Sequence, residues 1–362
     1  MMRHPFQSAP SFGHAPAIAR CRRRVVASLV VACVLLVGNH RAFSETWAEK
    51  LGFPAGKRVV ILHAEKAGMC DEVNGITQRM LEDGSVQSAS AMVPGPWFAV
   101  FAEWQRQHPK HDIGLSLTLH HQWKNYPWRP VAPRTEVPGI VDADGFLCRN
   151  AQQFIFNAQP EEVEREILAQ LQFAFKNGFR PTHLRSHQGL LFSRIDLARA
   201  YLDIARKHWI PAVVIELTED HVERFRAEGF PLGDDLIDLI AEYPLPKIDD
   251  LQFVPDADSY QQKVEAFKEL VRGLSPGITQ IISQPAEESV GLRKIDDKWQ
   301  QFVWDGKLLG DPEVQQFLKV EGIVFTNWKE MMQRFEGDVS RKPEEGDRDD
   351  PFEFNPQDDE PK

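Results

Sequence analysis

Several predicted strand ends in this sequence carry polar side chains that bind metal ions or transfer protons in other proteins. His63, Glu65 and Lys66 follow an apolar run at 59–62, and similar clusters stand in "GLSLTLHHQW", "THLRSHQG" and "IISQPA". Imidazole and carboxylate groups are ligands for divalent cations and serve as general acids and bases. Parallel strands end at one edge of a sheet, so these clusters predict one polar pocket there.

The segments around these clusters indicate strands that alternate with helices. Amphipathic segments with one apolar face lie at 72–81, 160–176, 195–207, 260–272 and 312–320. Apolar segments typical of buried strands lie at 58–64, 87–93, 112–119, 182–187, 212–217, 279–284 and 323–326. This alternation predicts an α/β fold over residues 57–333: a TIM-like (β/α) barrel of about seven parallel strands with loop insertions.

Two insertions interrupt the alternation. In the first, at 120–150, Trp123, Tyr126 and Trp128 have flat apolar faces that either stack on a sugar or pack the loop onto the barrel. The second, at 219–250, is rich in charge and proline and predicts a subsidiary helix and loop. The acidic, proline-rich tail at 337–362 is predicted to be disordered.

The first 44 residues have the composition of an export segment. Four arginines between residues 20 and 24 precede an uncharged apolar run at 25–38, which is too short to span a bilayer comfortably. Small residues at Ala42 and Ser44 provide a cleavage site. We therefore expect a signal peptide at 1–44 and a periplasmic or extracellular protein. A membrane anchor through residues 25–38 is the alternative.

The net charge of the chain limits the partners that it can bind, and its cysteines allow two redox states. The formal net charge is −11, and it becomes −17 without the six arginines of residues 1–44. So acidic a protein is not expected to bind nucleic acid, and it should meet a membrane only through its N-terminal segment. Cys70 and Cys148 either pair in an oxidising compartment or remain buried free thiols.

The order and spacing of several sequence blocks resemble the YdjC-like carbohydrate deacetylases. These blocks include "HAEKAGMCDEVNGITQRM", "HDIGLSLTLHHQWKNYPWRPV", "VDADGFL", "RPTHLRSHQG", "LSPGITQIISQPA" and "GIVFTNWKEM". The resemblance covers residues 57–333. It implies a TIM-like barrel and a metal-dependent hydrolase that removes acetyl groups from N-acetylated sugars.

The sequence departs from the family pattern where that pattern implies chemistry. Glu65 and Lys66 stand where the family has two aspartates, one catalytic and one a ligand of the divalent cation. Ser116 replaces a metal-binding histidine, and Arg185 replaces an aspartate. His187 is kept as the remaining ligand position.

These replacements oppose a divalent cation. Lys66 and Arg185 bring positive charge where the family has carboxylates, and the Ser116 hydroxyl is a weak substitute for imidazole. We interpret the site as dismantled and expect no cofactor. Lys66 and Arg185 should instead neutralise Glu65 and Asp71 in an internal ion-pair network.

The alternative is a rebuilt metal site formed by His63, Glu65 and His187, with Glu65 catalytic and a divalent metal bound. Strand alternation would turn Lys66 to the opposite face of the sheet. His120 would not join this set, because an extended third strand would carry it about 13 Å beyond the position of the missing imidazole.

The two interpretations predict different functions. The first is an exported, metal-free pseudoenzyme of the carbohydrate deacetylase family that binds a glycan or another partner through Arg185, Gln284, Trp123 and Trp128. Gln284 belongs to this set because it stands where the family strand ends in histidine. The second is an active metal-dependent hydrolase that deacetylates an N-acetylated sugar.

Overall fold

The computed structural model describes residues 45–230 and 232–337. The predicted export segment and the predicted acidic tail lie outside these ranges, except for Gly337 at the end of the last helix. The strands are β1 Arg58–Ala67, β2 Ser88–Ala91, β3 Ile113–Leu117, β4 Leu184–Ser186, β5 Asp250–Phe253, β6 Gly277–Ser283 and β7 Val324–Phe325.

Helices follow most of these strands and cover the sheet. Four of the five predicted helices have the predicted bounds, and the first is one residue longer at each end. The α-helices are α1 Trp47–Lys50, α2 Asp71–Glu82, α3 Phe98–Gln107, α4 Ala151–Asn157, α5 Pro160–Lys176, α6 Ile195–Lys207, α7 Glu219–Ala227, α8 Asp234–Glu242, α9 Tyr260–Arg272, α10 Val290–Ile295, α11 Trp299–Leu308, α12 Pro312–Val320 and α13 Trp328–Gly337. Two 3₁₀ helices span Pro138–Ile140 and His187–Ser193.

The strands form one parallel sheet in the order β4-β3-β2-β1-β6-β5, and β7 pairs with the first residues of β1. β1 lies at the centre and pairs with β6 from Arg58 to Ala64. Its residues from Val59 to Ala67 are almost wholly buried, which fits a strand covered on both faces. The prediction of an α/β, TIM-like barrel is confirmed.

The predicted strand at 212–217 is not a regular strand. Ala212 bridges to Leu184 and Ile215 bridges to Ile248, so each end of the segment pairs with a different neighbour and no continuous ladder forms. Through these bridges the segment pairs with β4 at one end and with the chain just before β5 at the other. β5 was not predicted, because its first three residues are only partly buried, Phe253 is exposed and the segment lacks an apolar run.

The core lies between the sheet and the inner faces of the helices. α5 shows the pattern: it begins with Pro160, and Val163, Ile167, Leu171 and Ala174 are fully buried one or two turns apart. No helix among the described residues is long and apolar enough to cross a membrane.

Cys70 and Cys148 are both buried free thiols. The disulfide alternative is therefore wrong, and the free-thiol alternative is confirmed.

Candidate functional site

The polar side chains identified in the sequence lie where β1, β3, β4 and β6 end. Glu65 and Lys66 belong to the last part of β1, Ser116 to β3 and Arg185 to β4, and Gln284 directly follows β6. Parallel pairing of β3 with β4 sets Ser116 beside Arg185. The fold thus brings these predicted residues to the carboxyl edge of one sheet.

Glu65 is held by two side-chain donors. Arg185 donates through Nη1 to Oε2 of Glu65, and Gln284 donates through Nε2 to Oε1 at 2.8 Å. The Arg185 and Glu65 side chains are only 6% and 4% exposed. The prediction that Arg185 neutralises Glu65 is confirmed, and both carboxylate oxygens already have partners.

Lys66 reaches the same glutamine through an irregular backbone. Its φ is 73°, in the left-handed region, and the register between β1 and β2 shifts between Ala64 and Ala67. This bulge breaks the alternation of side chains, so Lys66 Nζ donates to Gln284 Oε1 at 2.9 Å. The prediction that Lys66 points to the face opposite Glu65 is therefore wrong.

The Lys66 ammonium is enclosed by aromatic rings. Nζ lies 4.5 Å from the ring centroid of Phe302 and 5.4 Å from that of Trp123. Burial lowers the pKa of Lys66, and nearby carboxylates oppose that shift. These carboxylates belong to Glu65, Asp296 and Asp305. Asp71 is exposed at the start of α2 and is not among them, so the prediction that it neutralises Lys66 is wrong.

His187 lies beside His120, which was not predicted to be a residue of the site. β3 ends at Leu117, and the ring centroids of His120 and His187 are 5.4 Å apart. His187 Nε2 is 3.2 Å from Oε1 of Gln122, and His120 Nε2 is 2.9 Å from Oε1 of Gln188. His120 therefore lies beside His187, and its exclusion as a substitute for the imidazole missing at position 116 stays a prediction.

His63 faces β2. Its Nδ1 is 3.0 Å from Oγ of Ser88, and its Nε2 is 2.9 Å from Oγ of Ser90. Burial holds the pKa of His63 well below its usual range, and the charges of His183 and Arg185 act in the same direction. Both ring nitrogens are engaged within the barrel wall.

The residues at this edge do not fit a divalent cation. Within the described ranges, no three His, Cys, Asp or Glu side chains come together in a way that could hold a metal ion. The rebuilt set of His63, Glu65 and His187 is not assembled, because serines hold His63, and Arg185 and Gln284 hold Glu65. The ammonium of Lys66 has no lone pair to offer while protonated.

Trp123 and Trp128 pack inside the loop. Each is 3% exposed, their ring centroids are 5.0 Å apart, and Trp123 Nε1 donates to Oδ2 of Asp296 at 2.7 Å. The half-buried Tyr126 donates its hydroxyl to the carbonyl of Met69 at 2.8 Å. Of the two alternatives for these rings, the burial supports packing of the loop, since they cover its base and, at Trp123, the Lys66 ammonium.

Asp305, which was not predicted to be a residue of the site, contacts both Gln284 and the buried Lys263. Its Oδ2 accepts from the backbone N–H of Gln284 at 2.8 Å, and its Oδ1 lies 2.7 Å from Nζ of the buried Lys263. Burial raises the pKa of Asp305 to about 6, against the charge of Lys263. The available signal was Lys263 itself, a lysine next to Val264 on the apolar face of a predicted helix, which indicates a buried partner.

Comparison with known proteins identifies the family. The profile described as YdjC-like protein matches residues 59–320. A carbohydrate deacetylase from Thermus thermophilus is 31% identical over 271 residues, which are 75% of this chain and 92% of that protein. A carbohydrate deacetylase from Geobacillus stearothermophilus is 25% identical over 274 residues, which are 75% of this chain and 98% of that protein.

A solved structure shares the fold. It is an Enterococcus faecalis protein whose suggested role is cellobiose-phosphate cleavage, with a TM-score of 0.62 and 23% identity, covering 75% of this chain and 98% of that one. The profile match includes the strand ends described above. The chain belongs to the YdjC-like protein family.

Proposed function

We propose that this protein is a metal-free member of the carbohydrate deacetylase family that binds a sugar without deacetylating it. The observation that carries the proposal is the Glu65–Arg185 ion pair at the carboxyl end of β1, with Lys66 beside it. The resemblance implies carboxylates and a cation at these positions. A fixed guanidinium and an ammonium repel a divalent ion, and deacetylation by this family needs such an ion to polarise the acetyl carbonyl.

Two observations support a sugar as the ligand. Relatives that align with three quarters of this chain are carbohydrate deacetylases. In addition, three glutamines stand between the buried groups and solvent: Gln284 and Gln122 are half-buried and Gln188 is exposed. Amide side chains of this kind donate to and accept from hydroxyl groups.

The test combines turnover with binding. Full-length protein supplied with Zn²⁺ or Mg²⁺ should release no acetate from N-acetylglucosamine oligosaccharides, yet it should bind them saturably in calorimetry. Acetate release that chelation abolishes would refute the proposal. Absence of any sugar binding by folded protein would refute its second half.

We also propose export, on the strength of the arginine-flanked apolar run at 25–38. Expression of the full chain in a bacterial host, followed by fractionation and N-terminal sequencing, tests this proposal. A mature N-terminus near Glu45 in the periplasm or medium is the expected result. An intact chain in the cytoplasm would refute export, and an intact chain in the membrane fraction would favour the anchor instead.

A further inference from the structure

The donors at the carboxyl edge outnumber their recorded acceptors. Lys66 carries three N–H groups and Arg185 five. One hydrogen bond is recorded for each within the described residues, to Gln284 and to Glu65 respectively. The hydroxyl of Ser116, which pairs with Arg185 across β3 and β4, is buried without a hydrogen-bond partner. Buried donors with this much spare capacity favour an anionic ligand.

The net charge around these donors is positive, which also favours an anionic ligand. Lys66 and Arg185 bring two positive charges, and the Glu65 carboxylate cancels one of them. Asp305 is already paired with Lys263. Of the carboxylates acting on Lys66, this leaves Asp296, described below. The innermost part of the site therefore has one unbalanced positive charge.

Asp296 is the remaining carboxylate, and it is more exposed to solvent than Lys66. It is half-buried and accepts from Trp123 Nε1 and from the backbone N–H of Lys298. Solvent screens a charge in that position, and the indole ring of Trp123 lies beside the ammonium of Lys66. Asp296 thus offsets the inner charge only in part.

Acceptors for hydroxyl groups lie at the same edge of the sheet. Nδ1 of His120 and Nδ1 of His187 are buried and have no hydrogen-bond partner. Each Nε2 faces the Oε1 atom of a glutamine, so a neutral ring donates there and leaves Nδ1 as an acceptor. Lys66 and Arg185 lie close enough to His187 to interact with it electrostatically.

We propose that this site binds a sugar acid of the uronic acid class, with its carboxylate on Lys66, Arg185 and Ser116 and its hydroxyl groups on the Nδ1 atoms of His120 and His187. The inference rests on the proposed function and adds the charge of the sugar. A single carboxylate balances one excess positive charge, whereas a phosphate dianion would reverse it. Imidazole acceptors at the same edge of the sheet suit a polyhydroxylated acid better than a plain fatty acid.

Calorimetric titration of the full-length protein with sodium glucuronate, glucose, N-acetylglucosamine and glucose 6-phosphate tests the inference. Charge-assisted hydrogen bonds should make glucuronate bind at least about ten-fold more tightly than glucose. Lys66→Met should remove most of that preference, and the exposed Lys298→Met, as a matched control, should retain it. If Lys66→Met does not fold, Ser116→Ala provides the second test, with a loss of about three-fold or more in glucuronate affinity.

The outcomes separate this inference from the proposed function. Equal affinities for glucuronate, glucose and N-acetylglucosamine would overturn the carboxylate site while leaving sugar binding intact. Tighter binding of glucose 6-phosphate than of glucuronate would overturn the charge balance. Binding of none of the four compounds by folded protein would overturn the inference, and failure to bind N-acetylglucosamine oligosaccharides as well would overturn the sugar-binding proposal.

Discussion

Replacing Arg185 by methionine would leave the Glu65 carboxylate buried with the Gln284 amide as its recorded donor. The two charged side chains are 6% and 4% exposed, so solvent cannot replace the lost partner. Breaking one side of a buried ion pair costs about 3–5 kcal/mol, because the remaining charge is uncompensated. We therefore expect Arg185→Met to lower the free energy of unfolding by about 3–5 kcal/mol.

Urea denaturation of the full-length variants, with the midpoint and slope fitted separately, measures this loss. Arg206→Met is the matched control: its ion pair with Asp203 has side chains 54% and 59% exposed and should contribute about 0–1 kcal/mol. The double variant Glu65→Gln/Arg185→Met should recover most of the loss, since no unpaired charge remains. A loss below about 1 kcal/mol for Arg185→Met, or no recovery in the double variant, would refute the buried-pair account.

Three further predictions concern pH, backbone strain and the metal. The pKa of His63 is lowered in the folded state and is about 6.5 in the unfolded one, so its contribution to stability is complete above about pH 6.5 and is lost as the pH falls. The stability gap between the native protein and His63→Gln should therefore narrow by about 1.4 kcal/mol per pH unit below about pH 6.5, and a constant gap would contradict this. At position 66, where φ is 73°, Lys66→Gly should be more stable to urea than Lys66→Ala by about 1 kcal/mol, and the reverse order would show that the left-handed conformation is absent. Lys66→Asp combined with Ser116→His and Arg185→Asp should gain tight Zn²⁺ binding in calorimetry, whereas each single change should not. A folded triple variant that binds no zinc would show that these positions do not correspond to the family's ligands.

The spacing of apolar residues was sufficient to predict the longest helices. Helices such as α5, α6 and α9 lie on the barrel surface and bury one face, and their bounds follow from apolar spacing and from signals such as Pro160. The segment at 212–217 has the composition of a strand but forms only isolated bridges, because its two ends pair with different neighbours. Pairing partners are long-range properties that local composition does not contain.

The residues of the site could be predicted from their types and positions in the sequence, but the directions of their side chains could not. Glu65, Lys66, Arg185 and Gln284 do meet, as the positions of the strand ends indicated. The bulge that turns Lys66 inward depends on a left-handed residue that periodicity does not register. His120 lies beside His187, a contact between residues 67 positions apart that local sequence does not contain.

The packing of the insertion at 120–150 was ambiguous from sequence for a similar reason. Trp123 and Trp128 have flat apolar faces that could stack on a sugar. They are buried because they form a cluster with Met69, Cys70 and Phe302. That cluster joins segments more than 200 residues apart in the chain. Aromatic residues in a loop therefore indicated an apolar surface without showing whether protein or ligand covers it.

The metal content of the full-length protein tests the central claim most directly. Protein incubated with excess Zn²⁺, passed through gel filtration and measured by elemental analysis should retain well under one ion per chain, because Lys66 and Arg185 carry positive charge at the carboxyl end of β1 and β4. The triple variant described above, treated in the same way, should retain one. Retention of one zinc per chain by the native protein, lost in His187→Ala, would contradict the account.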